Sequence, residues 1–128
     1  AIPGGMVNPG EKVALAVTRE LAEEALGMGD SAAAASYINE LLAPLAKQIY
    51  EGYVDDPRNT DNSWIETSVY SFHDADNSVC AHFDLKAGDD AASVQWMSVK
   101  HVLIENSLYA SHTKFIELVD QMYTNPRV

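Results

Sequence analysis

The stretch VTRELAEEAL, Val17 to Leu26, places Arg19, Glu20, Glu23 and Glu24 within six residues of one another, and it constrains this chain more than any other segment. Its alanines, leucines and glutamates predict a helix from Lys12 to about Met28, with Gly27 and Gly29 as stop signals. At about 100° per residue from Val13, one apolar arc holds Val13, Val17, Met28, Leu21, Ala14 and Ala25, out to about 120°. A second, near about 200°, holds Ala22, Leu15 and Leu26. Glu23, Glu20 and Glu24 lie within about 100° of one another, from about 280° round to about 20°, so that Glu24 borders the first apolar arc. The pattern predicts a helix buried on two sides that presents its acids through a slot, with small Ala16 leaving open space above them. Carboxylates at i, i+3 and i+4 repel one another unless a cation compensates, and on this helix only Lys12 and Arg19 are basic. Two readings follow: a solvated, salt-bridged helix face, or oxygen ligands for a hard divalent cation such as Mg²⁺.

Bulk composition narrows the partners. The chain has 128 residues, 47% of them apolar, enough for the core of one domain. Nineteen acidic residues against eight basic ones give a net charge of −11, which argues against binding nucleic-acid backbones or anionic membranes through bulk charge. A phosphate-bearing small ligand remains open, because a bound cation reverses the local sign. Cys80 is the single cysteine, so no internal disulfide forms and a reducing compartment is expected. No apolar run approaches membrane-spanning length.

Along the chain, AIP reads as a strand end and GGMVNPGE as a loop punctuated by Gly and Pro. That start suggests the C-terminal part of something longer. A second helix is expected from Ser31 to about Lys47, with Pro44 as its kink or end. QIYEGYVDD, SWIETSVYSFHD, NSVCAHFDL and SVQWMSV read as strands. In the second of these Trp64, Glu66, Ser68, Tyr70 and Phe72 share one side. SHTKFIELVDQMY reads as a last helix with Ser111 or Thr113 as N-cap. Trp64 and Trp96 read as core aromatics, and Cys80 as a half-buried strand residue. His73, His82 and His101 have no metal-ligand spacing.

GGMVNPGEKVALAVTRELAEEAL resembles the Nudix box: Gly5, five residues, Glu11, seven residues, then Arg19, Glu20, Leu21, Glu23 and Glu24. The box should close with glycine and then a hydrophobic residue, whereas this chain has Leu26 and Gly27. A narrower resemblance joins GYVDDPRNTDNSWIET, LKAGDDAASVQW and LYASHTKFIELV. These segments are similar to mitochondrial-type ADP-ribose pyrophosphatases and to the homologous C-terminal domain of ADP-ribose-gated melastatin-type TRP cation channels.

The resemblance implies an α+β Nudix fold, a mixed sheet sandwiched between helices, with 1–128 as a single partial domain whose N-terminal strands lie outside the chain. It implies hydrolysis of ADP-ribose to AMP and ribose 5-phosphate with Mg²⁺, or Mn²⁺, held by Glu20, Glu23 and Glu24, all present here. The alternative is an ADP-ribose sensor attached to a channel, with or without turnover. The general-base candidates are Asp89 and Asp90. Gly4 and Gly5 would lend a backbone oxygen at the site. Asp56, Arg58, Tyr109, Ser111 and His112 would contact substrate. Asp61 carries two readings, ligand contact and turn-maker with Asn62, and His112 likewise either caps the last helix or touches ligand. Arg19 would pair with Glu11 or Glu23 and orient the ligands. The implied partner is ADP-ribose, with no nucleic acid, no direct membrane contact, and in the channel case the rest of a tetramer. Localisation would be intracellular: mitochondrial for the enzyme, on the cytoplasmic side of a membrane for the channel domain.

Overall fold

The computed structural model describes residues 1–29, 31–86, 93–106, 108 and 111–124. Two compact units form. One comprises Pro3–Ala46 and Phe72–Gln95, the other Ala1–Ile2, Lys47–Ser71 and Trp96–Val128.

In the first unit, Asn8-Pro9-Gly10-Glu11 makes a tight turn. Gly10 adopts φ +77°, and the Glu11 N–H donates to the Asn8 carbonyl at 3.0 Å. Proline followed by a positive-φ glycine suits a type II turn. Helix α1 follows, Val13–Glu24, and ends about a turn earlier than its composition predicts. The reason is tertiary. Leu26 leaves the helix to form a parallel bridge with Lys86, whose N–H donates to the Ala25 carbonyl at 2.8 Å. Gly27, at φ +59°, makes the turn; a β-carbon there would meet the Lys86 carbonyl oxygen at 3.1 Å. The inverted close of the box, Leu then Gly, thus serves a buried leucine and a left-handed exit.

Helix α2, Ala32–Leu42, begins where the Ser31 side chain accepts from the Ala34 N–H at 3.2 Å. Pro44 sits inside the short 3₁₀ turn Ala43–Leu45, so the helix stops there instead of reaching Lys47. Ala22 and Leu26 meet Ile38 and Leu42 to form the core, with Phe72, Val79, Phe83 and Leu85 packed against it. The predicted strand NSVCAHFDL is instead a loop and a 3₁₀ turn, Cys80–His82. The Asp74 carboxylate accepts the N–H groups of Val79 and Cys80 at 2.9 and 2.7 Å, using donors that a ladder would need. Those bonds hold the Asp74 carboxyl below its ordinary range, and burial pushes the Cys80 thiol up.

The second unit is built on an antiparallel hairpin, β1 (Ala46–Tyr53) and β2 (Glu66–Phe72). Asn59 ties its loop: the side-chain N–H donates to the Val54 carbonyl at 2.9 Å, and the side-chain oxygen accepts from the Ile65 N–H at 2.7 Å. SVQWMSV forms no strand. Ser98 instead accepts from the His101 N–H and starts helix α3, Val99–Glu105, which ends on left-handed Asn106. Helix α4, His112–Thr124, buries Phe115 beside Tyr50, ring centroids 5.4 Å apart. The Ser111 hydroxyl donates to the Asp55 carbonyl at 2.9 Å. AIP is not a strand, and Trp64 and Trp96 are exposed rather than core. Among the described residues, no helix is long and apolar enough to cross a membrane.

Ile38 is fully buried. Ile38→Ala should cost about 2–5 kcal/mol and Ile38→Val about 0.5–1.5 kcal/mol, read by urea unfolding. Equal, small losses for both would place the core elsewhere.

Candidate active site

The carboxylate face of α1 is organised by one guanidinium. Arg19 Nε donates to Glu11 Oε1 at 2.8 Å and Nη2 to Glu11 Oε2 at 3.1 Å, a two-point fork. Its Nη1 reaches Glu20 Oε1 at 2.7 Å and lies 3.5 Å from Glu23 Oε2. Nη2 also donates to the Met6 carbonyl at 3.0 Å. Arg19 therefore ties the Gly4–Glu11 loop to the helix through Glu11 and touches two of the three box carboxylates. Its hydrogen bond to Glu11 raises the guanidinium above its ordinary range. The same bond, with the Asn8 N–H, holds the Glu11 carboxyl below its ordinary value.

The loop meets the other acids directly. The Gly4 N–H donates to Glu24 Oε2 at 3.1 Å. A β-carbon on Gly5 would lie 2.3 Å from Glu20 Oε1, so the backbone passes this carboxylate at a distance only glycine permits. Beside the carbonyl role expected of the two glycines, Gly4 offers its N–H to Glu24 and Gly5 has no β-carbon to meet Glu20. Ala16, expected beneath open space, is buried, as are Thr18, Ala22, Ala25 and Leu26, whereas Val13 and Leu15 are exposed. The buried stripe is thus narrower than the two predicted arcs. Thr18, at about 140°, lies inside the apolar span although it is polar. Its hydroxyl donates to the Leu15 carbonyl at 3.1 Å, the bond that lets it be buried.

The donor set suits a hard divalent cation: carboxylates only, on consecutive turns of one helix, with a glycine loop pressed against them. Their oxygens are engaged by Arg19 and Gly4. Among the described residues no three carboxylate, imidazole or thiol groups converge closely enough to hold an ion.

In the hairpin unit, the structure gathers other residues singled out from sequence. Arg58 pairs with Asp56 through two side-chain bonds, 2.9 and 3.0 Å, and its N–H adds a third at 2.9 Å. The Arg58 bonds pull the Asp56 carboxyl down to about 2. His112 lies within electrostatic reach of both; its Nδ1 accepts from the Ile2 N–H at 3.1 Å, and burial lowers its pKa. Asp61 and Asn62 form the two-residue tip between Thr60 and Ser63, bonded N–H to carbonyl at 2.7 Å, which is the turn-making role. Asp89, Asp90 and Tyr109 lie outside the described residues.

A Nudix domain model matches residues 1–119, and the chain belongs to that family. It is 48% identical over 124 residues to the mitochondrial ADP-ribose pyrophosphatase of Rattus norvegicus, covering 93% of this chain and 35% of that protein. Against nudix hydrolase 6 of Caenorhabditis elegans it is 45% identical over 126 residues, covering 98% and 45%. Against the transient receptor potential cation channel subfamily M member-like 2 of Nematostella vectensis it is 43% identical over 127 residues, covering 95% and 8%. The chain therefore spans less than half the length of each of these relatives.

Because the folded-state pKa of Glu11 is depressed, the stability it contributes is present above the ordinary value of 4.5 and is lost as pH falls through the folded value. Glu11→Gln should lower the thermal midpoint at neutral pH and flatten its decline between about pH 5 and about pH 3. A parallel decline in both proteins would show that the Arg19 fork does not stabilise the fold.

Proposed function

We propose that the domain hydrolyses ADP-ribose to AMP and ribose 5-phosphate, with Mg²⁺ or Mn²⁺ held by Glu20, Glu23 and Glu24. The observation that carries this reading is the complete set of three box carboxylates on α1, ordered by Arg19 and by the Gly4–Gly5 backbone. Likeness to a relative named ADP-ribose pyrophosphatase supports the substrate.

A divalent cation at the site would neutralise the diphosphate and make a water acidic enough to attack. The remaining work falls to the chain. Arg19 keeps Glu20 and Glu23 on one side of the helix. Gly4 fixes Glu24, and Gly5 leaves the space that Glu20 occupies. Water adds to one phosphorus, the bridging P–O bond breaks, and the water's proton passes to a base, for which Asp90 is our candidate and Asp89 the other. Asp56, Arg58, Ser111 and His112, with Tyr109, would bind the ribose and phosphate away from adenine, using a carboxylate for hydroxyls and planar donors for anionic oxygens.

A second reading, an ADP-ribose sensor joined to a channel, is favoured by the channel relative from Nematostella vectensis. That sensor binds with or without turnover, and the two readings differ in location, mitochondrial for the enzyme and the cytoplasmic side of a membrane for the sensor.

Replacing Glu23 and Glu24 together by Gln should cut Mg²⁺-dependent AMP release by about a hundredfold or more while leaving the helix folded. Near wild-type release would sink the metal assignment. Absence of release from the wild type, with ADP-ribose binding intact, would favour the sensor.

Arg58→Ala should weaken ADP-ribose binding about ten- to a hundredfold, the scale of a charged hydrogen bond. AMP, lacking the second ribose, should bind mutant and wild type alike in calorimetric titrations. Equal losses for both ligands would leave the Asp56–Arg58 pair a loop brace and nothing more.

A further inference from the structure

At its loop end the β1–β2 hairpin leaves one side exposed, whereas further along the same side Ser68, Tyr70 and Phe72 are half-buried. The Val54 N–H donates to the Ile65 carbonyl at 3.2 Å, which sets Val54 opposite Ile65. Tyr53 then stands opposite Glu66, Asp55 opposite Trp64, and Glu51 opposite Ser68, all on one side because side chains alternate. Tyr50, on the other side, packs on Phe115 of α4. At the loop end of this side Tyr53 and Trp64 are 51% and 57% exposed, and Glu51, Asp55 and Glu66 are exposed beside them.

These two rings are anchored at their polar tips. The Tyr53 hydroxyl donates to Asp55 Oδ1 at 3.2 Å and accepts from the Asn59 side chain at 3.2 Å. Trp64 Nε1 donates to Glu66 Oε1 at 3.4 Å. Holding the tips lowers the entropy that a partner would have to remove. Lys47 is the only basic residue in either strand, and it lies at the far end, beyond Glu51.

We propose that this face docks an arginine-bearing peptide segment of a protein partner. Aromatic faces attract a guanidinium through their quadrupole, and three nearby carboxylates pair with it. The same carboxylates repel phosphates and anionic lipid, and they make a purely apolar partner costly to seat. The surface belongs to the hairpin unit, and the α1 carboxylates belong to the other.

The test is a fluorescence-anisotropy titration of the 128-residue chain with a labelled, end-blocked peptide of alternating arginine and glycine. Trp64→Ala and Glu66→Gln should each weaken binding about fivefold or more, with unchanged circular dichroism for Glu66→Gln. Glu117→Gln on α4, also an exposed glutamate, should leave it unchanged. Equal weakening by Glu117→Gln and Glu66→Gln would mean diffuse attraction to an acidic protein and would overturn the proposal. So would equal binding of a peptide with every arginine replaced by citrulline, or Trp64→Ala without effect.

Discussion

The fork from Arg19 to Glu11 is the interaction on which the box unit depends. Glu11 ends the Asn8–Glu11 turn and Arg19 stands two helical turns into α1, so their two-point bond fixes the loop along the helix. Once the loop is fixed, Gly4 lies over Glu24 and Gly5 over Glu20. An unpaired set of like charges on one helix face would repel; the same guanidinium, reaching Glu20 and Glu23, moderates that repulsion. One residue thereby orders a loop and holds a carboxylate set together.

The pinning works because the rest of the unit leaves α1 little freedom. Ala22 and Leu26 are closed under Ile38 and Leu42, and Leu26 is drawn into a bridge with Lys86. Packing at Ala22 and the contacts of Arg19, Glu20, Glu23 and Glu24 thus hold the C-terminal half of the helix together. Val13 and Leu15, exposed at its start, contribute little to that hold.

The hairpin unit uses a different economy of interactions. Its loop is organised by Asn59 and by the Asp56–Arg58 pair, both local in sequence. Ser111 then adds a bond to Asp55 across a long stretch of chain. That contact brings the DDPR segment and the start of α4 together, two segments that sequence alone can only name side by side.

Local rules were enough for the box. Its spacing set the three glutamates on one helix face, and Pro9-Gly10, Ser31 and Pro44 marked turn, cap and stop, because each acts through its own backbone geometry. The hairpin strands and α4 were legible from their apolar periodicity, although burial along β2 does not alternate from side to side. What failed were segments whose donors or apolar groups are claimed by side chains or strands outside their own pattern, near in sequence for Asp74 and Ser98 and far for Lys86. Asp74 takes the N–H groups that would have made NSVCAHFDL a strand. Ser98 turns the run after SVQWM into α3. Lys86 pulls Leu26 out of α1 before composition would end it. Trp64 and Trp96, large and apolar, looked like core residues, yet which side of a strand or loop is covered depends on what packs there. The sequence by itself determined which groups stand where on the α1 helix. Only the tertiary structure decided which of them are buried, and that Arg19 holds Glu11 as well as its helix neighbours Glu20 and Glu23, since the Glu11 contact exists only after the loop folds back onto the helix.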